Sequence, residues 1–300
     1  MRILLAALAL LAATPATSMA QALDIGRGGS GAPIEITASN GIEWDRDAQR
    51  YIANGDAVAR QGDTTVRGDR LVAWYRPAAT GGTEIFRYEA IGNVKFQTPT
   101  QTVEGDRGVY DVASEVVVVT GKALRLTTPT DTLTARDTLE YWSAREIAVA
   151  RGNAMVVSAD RRMTADVMTA HFTQAQPARP APPPPARNAR TPARNAPAPA
   201  ASTGGDQRLS RIEAFGNVHV STPTEIARGD RGIYNMQTGI AQLAGNVRLT
   251  RGDNQMAGDF AEVNTNTGIS RLLARPSEGG DGRVRGLLTP QQAQQGRPRQ

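Results

Sequence analysis

Apolar and polar residues alternate with a period of two through most of this chain. Around a recurring glycine, positions +2 and +4 are Val94 and Phe96, Val218 and Val220, and Val247 and Leu249, with Lys95, His219 and Arg248 between them. Counted from a recurring aspartate, positions +2, +4 and +6 are Leu71, Ala73 and Tyr75; Met168, Ala170 and Phe172; and Gly232, Tyr234 and Met236. The residues between are more polar: Arg70, Trp74, Arg107, Asp111, Arg231 and Asn235. Successive side chains of a strand point to opposite faces, so the pattern predicts half-buried strands with one apolar face. Turn residues bound the runs at Thr98-Pro99-Thr100, Thr128-Pro129-Thr130, Thr222-Pro223-Thr224, Thr238-Gly239 and Thr267-Gly268. No segment beyond the first twenty residues sustains a 3.6-residue apolar stripe. The predicted body is all-β, built of strands of about eight residues joined by short turns.

The glycines and aspartates themselves form a repeat. Gly followed by Asn, Asp or Lys and then Ala or Val occurs six times, at Gly55, Gly92, Gly121, Gly152, Gly216 and Gly245. The paired aspartates are Asp69, Asp106, Asp137, Asp166, Asp230 and Asp259, 14 residues on in five copies and 16 in the third. The glycines and asparagines are expected to supply positive-φ turns, and the aspartates to cap bends through their side-chain oxygens. Units that bury one face only by stacking on neighbours predict an elongated, open twin-sheet array. On periodicity alone, a jelly-roll-like sandwich and a β-solenoid fit equally well.

The flanks differ in composition. Residues 1–20 read as a cleaved secretory signal: Arg2, an apolar run over 3–13 and small residues at Ser18-Met19-Ala20. Residues 21–32 are a glycine-rich flexible segment. Residues 174–208 hold nine of the eighteen prolines and no large apolar side chain, which predicts a disordered Pro/Ala/Arg-rich insertion. It divides the β repeats into 33–173 and 209–274, and 275–300 is expected to be a disordered tail.

The net charge of +5 changes meaning once located. Five arginines (179, 187, 190, 194, 208) stand against Asp206 in the insertion, and five (275, 283, 285, 297, 299) against Glu278 and Asp281 in the tail. The body left between them is slightly acidic, so no basic nucleic-acid-binding domain is predicted and nucleic acid is not an expected partner. With no cysteine there is no disulfide, thiolate-held zinc or thiol nucleophile. The two histidines, His171 and His219, lie in different copies and form no catalytic or metal-binding spacing. The aspartates recur singly, without a calcium-binding nonapeptide. The expectation is no catalytic residue, no metal and no cofactor.

At these residues the chain resembles the LptA/OstA-like family of lipopolysaccharide transport proteins. The resembling stretch opens at Pro33-Ile34-Glu35-Ile36-Thr37-Ala38 and Trp44-Asp45. It runs through Tyr51-Ile52-Ala53-Asn54-Gly55-Asp56-Ala57, Gly68-Asp69-Arg70-Leu71 and Gly105-Asp106-Arg107-Gly108-Val109-Tyr110, and ends near Arg271. The resemblance implies an OstA-like antiparallel β-jellyroll whose apolar groove holds the acyl chains of lipopolysaccharide. It further implies a periplasmic carrier and bridge between an inner-membrane export complex and an outer-membrane translocon, assembled as a head-to-tail homo-oligomer. For a chain of 300 residues the full outer-membrane translocon of the family, with its barrel, is not the expected reading. The insertion and the tail depart from the family pattern.

Combining the resemblance with the apolar phase of the repeats, the expected groove residues are Ile34, Ile36, Val94, Phe96, Tyr110, Val218, Val220 and Tyr234. The open ends of the array are expected near Ile34–Thr37 and Met256–Asn264. Two other readings fit a repetitive all-β chain: a polysaccharide-processing β-helix enzyme, which needs clustered carboxylates on one sheet, and a structural repeat or adhesin protein whose apolar face is only a core.

Overall fold

A computed structural model describes residues 34–79, 81–174, 207–264, 266–267, 269–274 and 284–287. The expected signal, the 21–32 segment and nearly all of the insertion lie outside the described residues, as does most of the tail. The strands are β1 (Glu35–Thr37), β2 (Ile42–Asp45), β3 (Arg50–Gln61), β4 (Thr64–Pro77), β5 (Thr83–Gln97), β6 (Thr102–Asp111), β7 (Val116–Thr120), β8 (Leu124–Thr127) and β9 (Asp131–Ala135). They continue as β10 (Thr138–Trp142), β11 (Ile147–Ser158), β12 (Arg162–Gln174), β13 (Gln207–Ser221), β14 (Glu225–Asn235), β15 (Ile240–Arg251), β16 (Asn254–Asn264), β17 (Ile269–Leu273) and β18 (Arg285–Leu287). One three-residue 3-10 turn (Ser143–Arg145) interrupts them.

All eighteen belong to one antiparallel sheet in which partners in space follow chain order. Four pairs of short strands lie end to end against a single long neighbour: β1 and β2 on β3, β7 and β8 on β6, β9 and β10 on β11, and β17 and β18 on β16. Each such pair is one strand position broken in the middle. The long strands run 12 to 15 residues in β3, β4, β5, β11, β12, β13 and β15. They are longer than expected from the sequence because the repeat glycine does not end a strand; the strand passes through it and bends.

The bend is a β-bulge, where two residues oppose one and the ladder kinks. Register shifts fall between Asn54 and Ala57, Ile91 and Val94, Arg151 and Ala154, Phe215 and Val218, and Ala244 and Val247. In five copies both bulge residues take positive φ, as in Gly92 (+73°) with Asn93 (+48°) and Gly245 (+77°) with Asn246 (+47°). Gly and Asn tolerate that region best, which is why this dipeptide recurs. The third copy, Gly121-Lys122, has no positive-φ residue, and there the strand breaks into β7 and β8.

Four of the six repeat aspartates clasp the following copy rather than their own bend. Asn93 Nδ2 donates to Asp69 Oδ1 at 3.0 Å, Asn217 Nδ2 to Asp166 at 2.9 Å and Asn246 Nδ2 to Asp230 at 2.8 Å. In the broken copy the backbone N–H of Lys122 donates to Asp106 at 2.9 Å. The bends are therefore stacked in register by a side-chain ladder running across the array.

The bends divide every strand into two arms, closed by different turns. On one arm, Asp45, Asp111 and Asn235 accept backbone N–H groups of Ala48, Ser114 and Gln237, at 2.9, 2.8 and 2.9 Å. These are Asx turns. On the other arm, the hydroxyls of Thr98, Thr128 and Thr222 accept from the backbone N–H groups of Gln101, Asp131 and Glu225, at 3.2, 3.0 and 3.1 Å. Proline follows each of these threonines. The two are called the Asx arm and the Thr-Pro arm below.

Candidate functional site

The inner face of each arm carries an unbroken row of cross-strand partners. On the Thr-Pro arm the row is Ile36, Ala59, Val66, Phe96, Val103, Leu126, Leu133, Val156, Met163, Val220, Ala227, Leu249 and Met256. No polar side chain interrupts it. On the Asx arm the row is Trp44, Tyr51, Ala73, Tyr88, Tyr110, Val117, Tyr141, Ala148, Ala170, Ile212, Tyr234, Ala241 and Val263. The bulge keeps both rows on the concave side of the bend, as the two-versus-one count changes the phase of the alternation.

The rows face each other across a cavity of about 410 Å³. Phe96, Val103 and Leu126 line it from one arm and Tyr88, Tyr110 and Tyr141 from the other. The aromatic rings are packed against one another: Trp44 stacks on Tyr51 at 5.7 Å and Tyr88 on Tyr110 at 6.3 Å, while Tyr141 meets Phe172 edge-on at 6.3 Å. Such pairs add about 0.5–1.5 kcal/mol beyond their burial and stiffen the wall. The Trp44 indole N–H donates to the Tyr75 hydroxyl at 2.8 Å. Burial raises the Tyr88 phenol above its ordinary value, so the wall stays neutral.

Of the eight residues expected from the sequence, Ile34, Ile36, Val94, Phe96, Tyr110 and Val220 line the cavity. Val218 and Tyr234 do not. They sit in the buried cluster that also holds Ala227, Leu243, Val247, Ala261 and Val263. The reason is volume. In the first half small residues (Ala53, Ala59, Ala73, Ala90, Gly108) leave space on the wall. In the second half Leu243 projects over Gly229 and Gly232 and occupies it. The cavity therefore belongs to the strands before β13, with Leu209, Ile212, Val220 and Met236 at its far end.

Tyr51, Tyr88 and Tyr141 were not among the expected residues. Tyr51 and Tyr88 lie four residues before a repeat glycine, and Tyr141 four after a repeat aspartate, as do Tyr110 and Tyr234. Both offsets were available in the sequence.

The outer face is ionic. On the Asx arm Glu89 receives Arg107 at 2.6 Å and Glu140 receives Arg151 at 2.8 Å, while Glu213 is bracketed by Arg211, Arg231 and His171. Burial pushes the Glu140 carboxyl up, but hydrogen bonds from Arg151, Thr138 and Trp142 outweigh it and hold the group below its ordinary value. The repeat aspartates lie along the bend, and none is gathered with other carboxylates in the cavity. Among the described residues no three metal-ligating side chains come together.

The profile of the family described as LptA/(LptD N-terminal domain) LPS transport protein matches residues 35–137 and again residues 135–269. The chain belongs to this family. Its jellyroll is the antiparallel, bent-strand array described above, and the family is one of transport proteins. The crystal structure of LptH, the LptA homologous periplasmic component of the lipopolysaccharide transport device from Pseudomonas aeruginosa, is similar at 18% identity. That likeness covers 42% of this chain and 86% of that one, with a TM-score of 0.35. Comparison with curated proteins finds no match.

Proposed function

We propose that this chain is a periplasmic carrier and bridge subunit. It holds the acyl chains of lipopolysaccharide between its two inner rows and passes the lipid from an inner-membrane export complex to an outer-membrane translocon. The observation that carries this reading is the cavity itself: the two inner rows that line it carry aliphatic and aromatic side chains on both arms. A carrier needs such a wall, because each methylene left in water costs about 0.8 kcal/mol and an acyl chain of a dozen carbons roughly 10 kcal/mol. Membership of a lipopolysaccharide transport family supports the choice of cargo. Delivery through the periplasm accords with the signal read in residues 1–20.

The bridging part of the proposal rests on the two ends of the array. At the first, β1 and β2 leave Ile36, Ile42 and Trp44 exposed by 39, 58 and 52%. At the other, β17 and β18 leave Ile269, Leu273 and Leu287 exposed by 54, 49 and 64%. Strand edges with apolar side chains are templates for strand addition, here to the next subunit or to the partner complexes.

Photo-crosslinking tests the groove. A crosslinker at Phe96 should capture lipopolysaccharide and one at Lys95 should not, because adjacent strand residues face opposite sides. Phe96→Asp, which puts a charge in an apolar slot, should weaken loading more than Lys95→Asp in protein shown to be folded. Equal capture at both positions would place the lipid outside the groove. No capture at either, with the fold intact, would leave the apolar face as a core, the reading a structural repeat protein requires.

A further inference from the structure

The arginines of the outer face fall into two groups. On the Asx arm they cover carboxylates: Arg107 on Glu89, Arg151 on Glu140, Arg211 and Arg231 on Glu213. On the Thr-Pro arm, Arg162, Arg228 and Arg248 stand exposed on β12, β14 and β15, and no described carboxylate pairs with any of them. Cross-strand register brings them together around His219 of β13. Thr164, His219, Arg228 and Arg248 are successive partners in one row, and Arg162 is two residues from Thr164.

His219 is held among cations. Its Nε2 is buried with no hydrogen-bond partner. Burial, then Arg228 and Arg162, hold its imidazole below the ordinary value. The charged and titratable groups around it can be named strand by strand. β12 brings Arg162 and Asp166, β14 Arg228 and Asp230, and β15 Arg248. Asp166 and Asp230 lie at the bend and are engaged by Asn217 and Asn246. Asp160, in the β11–β12 turn, is paired with Arg161 at 3.5 Å. Glu225 is buried, with Arg251 at 3.4 Å. Asp253 lies in the β15–β16 turn. Among the described residues no carboxylate occupies the centre of the cluster.

The next outer row toward the turns is Val157, Arg162, Ser221, Ile226 and Thr250. Val157 and Ile226 are large apolar residues exposed by 41 and 37%. Cations behind exposed apolar side chains on one sheet face suit a bilayer interface: apolar groups enter the head-group boundary while arginines meet phosphates.

We infer that the outer face of the Thr-Pro arm over β12–β15 docks on an anionic phospholipid surface, with Arg162, Arg228 and Arg248 gripping its phosphates and Val157 and Ile226 entering its boundary. A free phosphate would use the cations but not the two apolar side chains, so the lipid surface is the occupant the residues favour. This surface is on the opposite side of the sheet from the groove and does not depend on the groove's cargo.

The test uses the full chain and vesicles free of lipopolysaccharide. Cosedimentation should occur with vesicles of phosphatidylcholine containing phosphatidylglycerol and not with phosphatidylcholine alone, and should weaken as salt rises. Each basic residue near an anionic surface contributes roughly a fivefold affinity factor, so Arg228→Gln with Arg248→Gln should bind about twenty-five-fold more weakly. Ile226→Ser should weaken binding too. Arg67→Gln and Phe96→Asp, one elsewhere on the outer row and one in the groove, should change it less than about twofold. Imidazole NMR can follow His219, whose pKa should rise with anionic bicelles. Equal binding to both vesicle types, undiminished binding by the folded double variant, or loss of binding in Phe96→Asp shown to be folded would each overturn the proposal. So would a His219 shift with inorganic phosphate, beyond matched chloride, in protein that binds no vesicle.

Discussion

Glu225 shows how one side chain can run against the fold that contains it. It is 5% exposed at the end of a Thr-Pro turn, and burial raises its carboxyl above the ordinary value of 4.5, with Arg251 opposing the shift. A carboxyl with a raised folded pKa contributes stability that is full below the unfolded pKa and lost as pH rises through the folded one. At neutral pH the buried charge is therefore a cost. Glu225→Gln should raise the melting temperature at pH 7 and give no gain at pH 4, measured by calorimetry at both. Glu140 has the opposite sign: its lowered carboxyl contributes stability above the unfolded pKa that is lost as pH falls through the folded value. At this scale the sequence was informative about phase and silent about volume. Val94, Phe96 and Tyr110 are read correctly as inward-facing from their offsets alone. Val218 and Tyr234 share those offsets but leave the cavity wall; beside Val218, Leu243, in sequence only one more apolar residue, reaches over Gly232.

At the scale of the strand, the Gly-Asn bulge carries the architecture. A Cβ on Gly92 would collide with the Asp69 carboxylate, and its φ of +73° is strained for any other residue. Gly62, at +55° in an open turn, meets nothing within 4 Å. Gly62→Ala should cost only the backbone term, about 1–2 kcal/mol, while Gly92→Ala should cost more because it also displaces the clasp. At about 2–4 °C per kcal/mol, thermal melts separate the two. The sixfold repeat made these positions visible, but its meaning was not local. A glycine followed by asparagine reads equally well as the end of one strand or the bend of a longer one, and only the partner strand's register decides. Likewise the aspartate's offset within its own copy conceals that it bonds to the next. The Pro/Ala/Arg insertion is an element of the opposite kind, with no side chains able to form a core. Deleting residues 178–203 should leave the melting temperature nearly unchanged; loss of cooperative unfolding would show that it has a structural part.

For the whole molecule, the sequence located the first edge correctly at Ile34–Thr37 and the second one strand too early. Met256–Asn264 lies in β16, which is covered by β17 and β18. The second cover comes from Arg285–Leu287, within a glycine- and arginine-rich tail whose composition carries no strand signal; its three residues join the sheet through backbone hydrogen bonds, to which side-chain patterns are blind. Removing residues 276–300 takes away β18 and uncovers Gln255, Met256 and Ala257. Light scattering over a concentration series should show head-to-tail association in the shortened chain at lower concentration than in the full one, and a strict monomer in both would count against the bridge. Among the described residues, fourteen strand positions at the usual spacing of about 4.8 Å make the array roughly 60 Å long. The family profile fits twice along that length, its two copies meeting at residues 135–137 in continuous polypeptide. A filament of such chains would hold one reversible joint where single-unit subunits hold two. If joints open independently, the chance that a filament of given length is whole is the square root of the chance for single units, and the gain grows with the distance to be crossed.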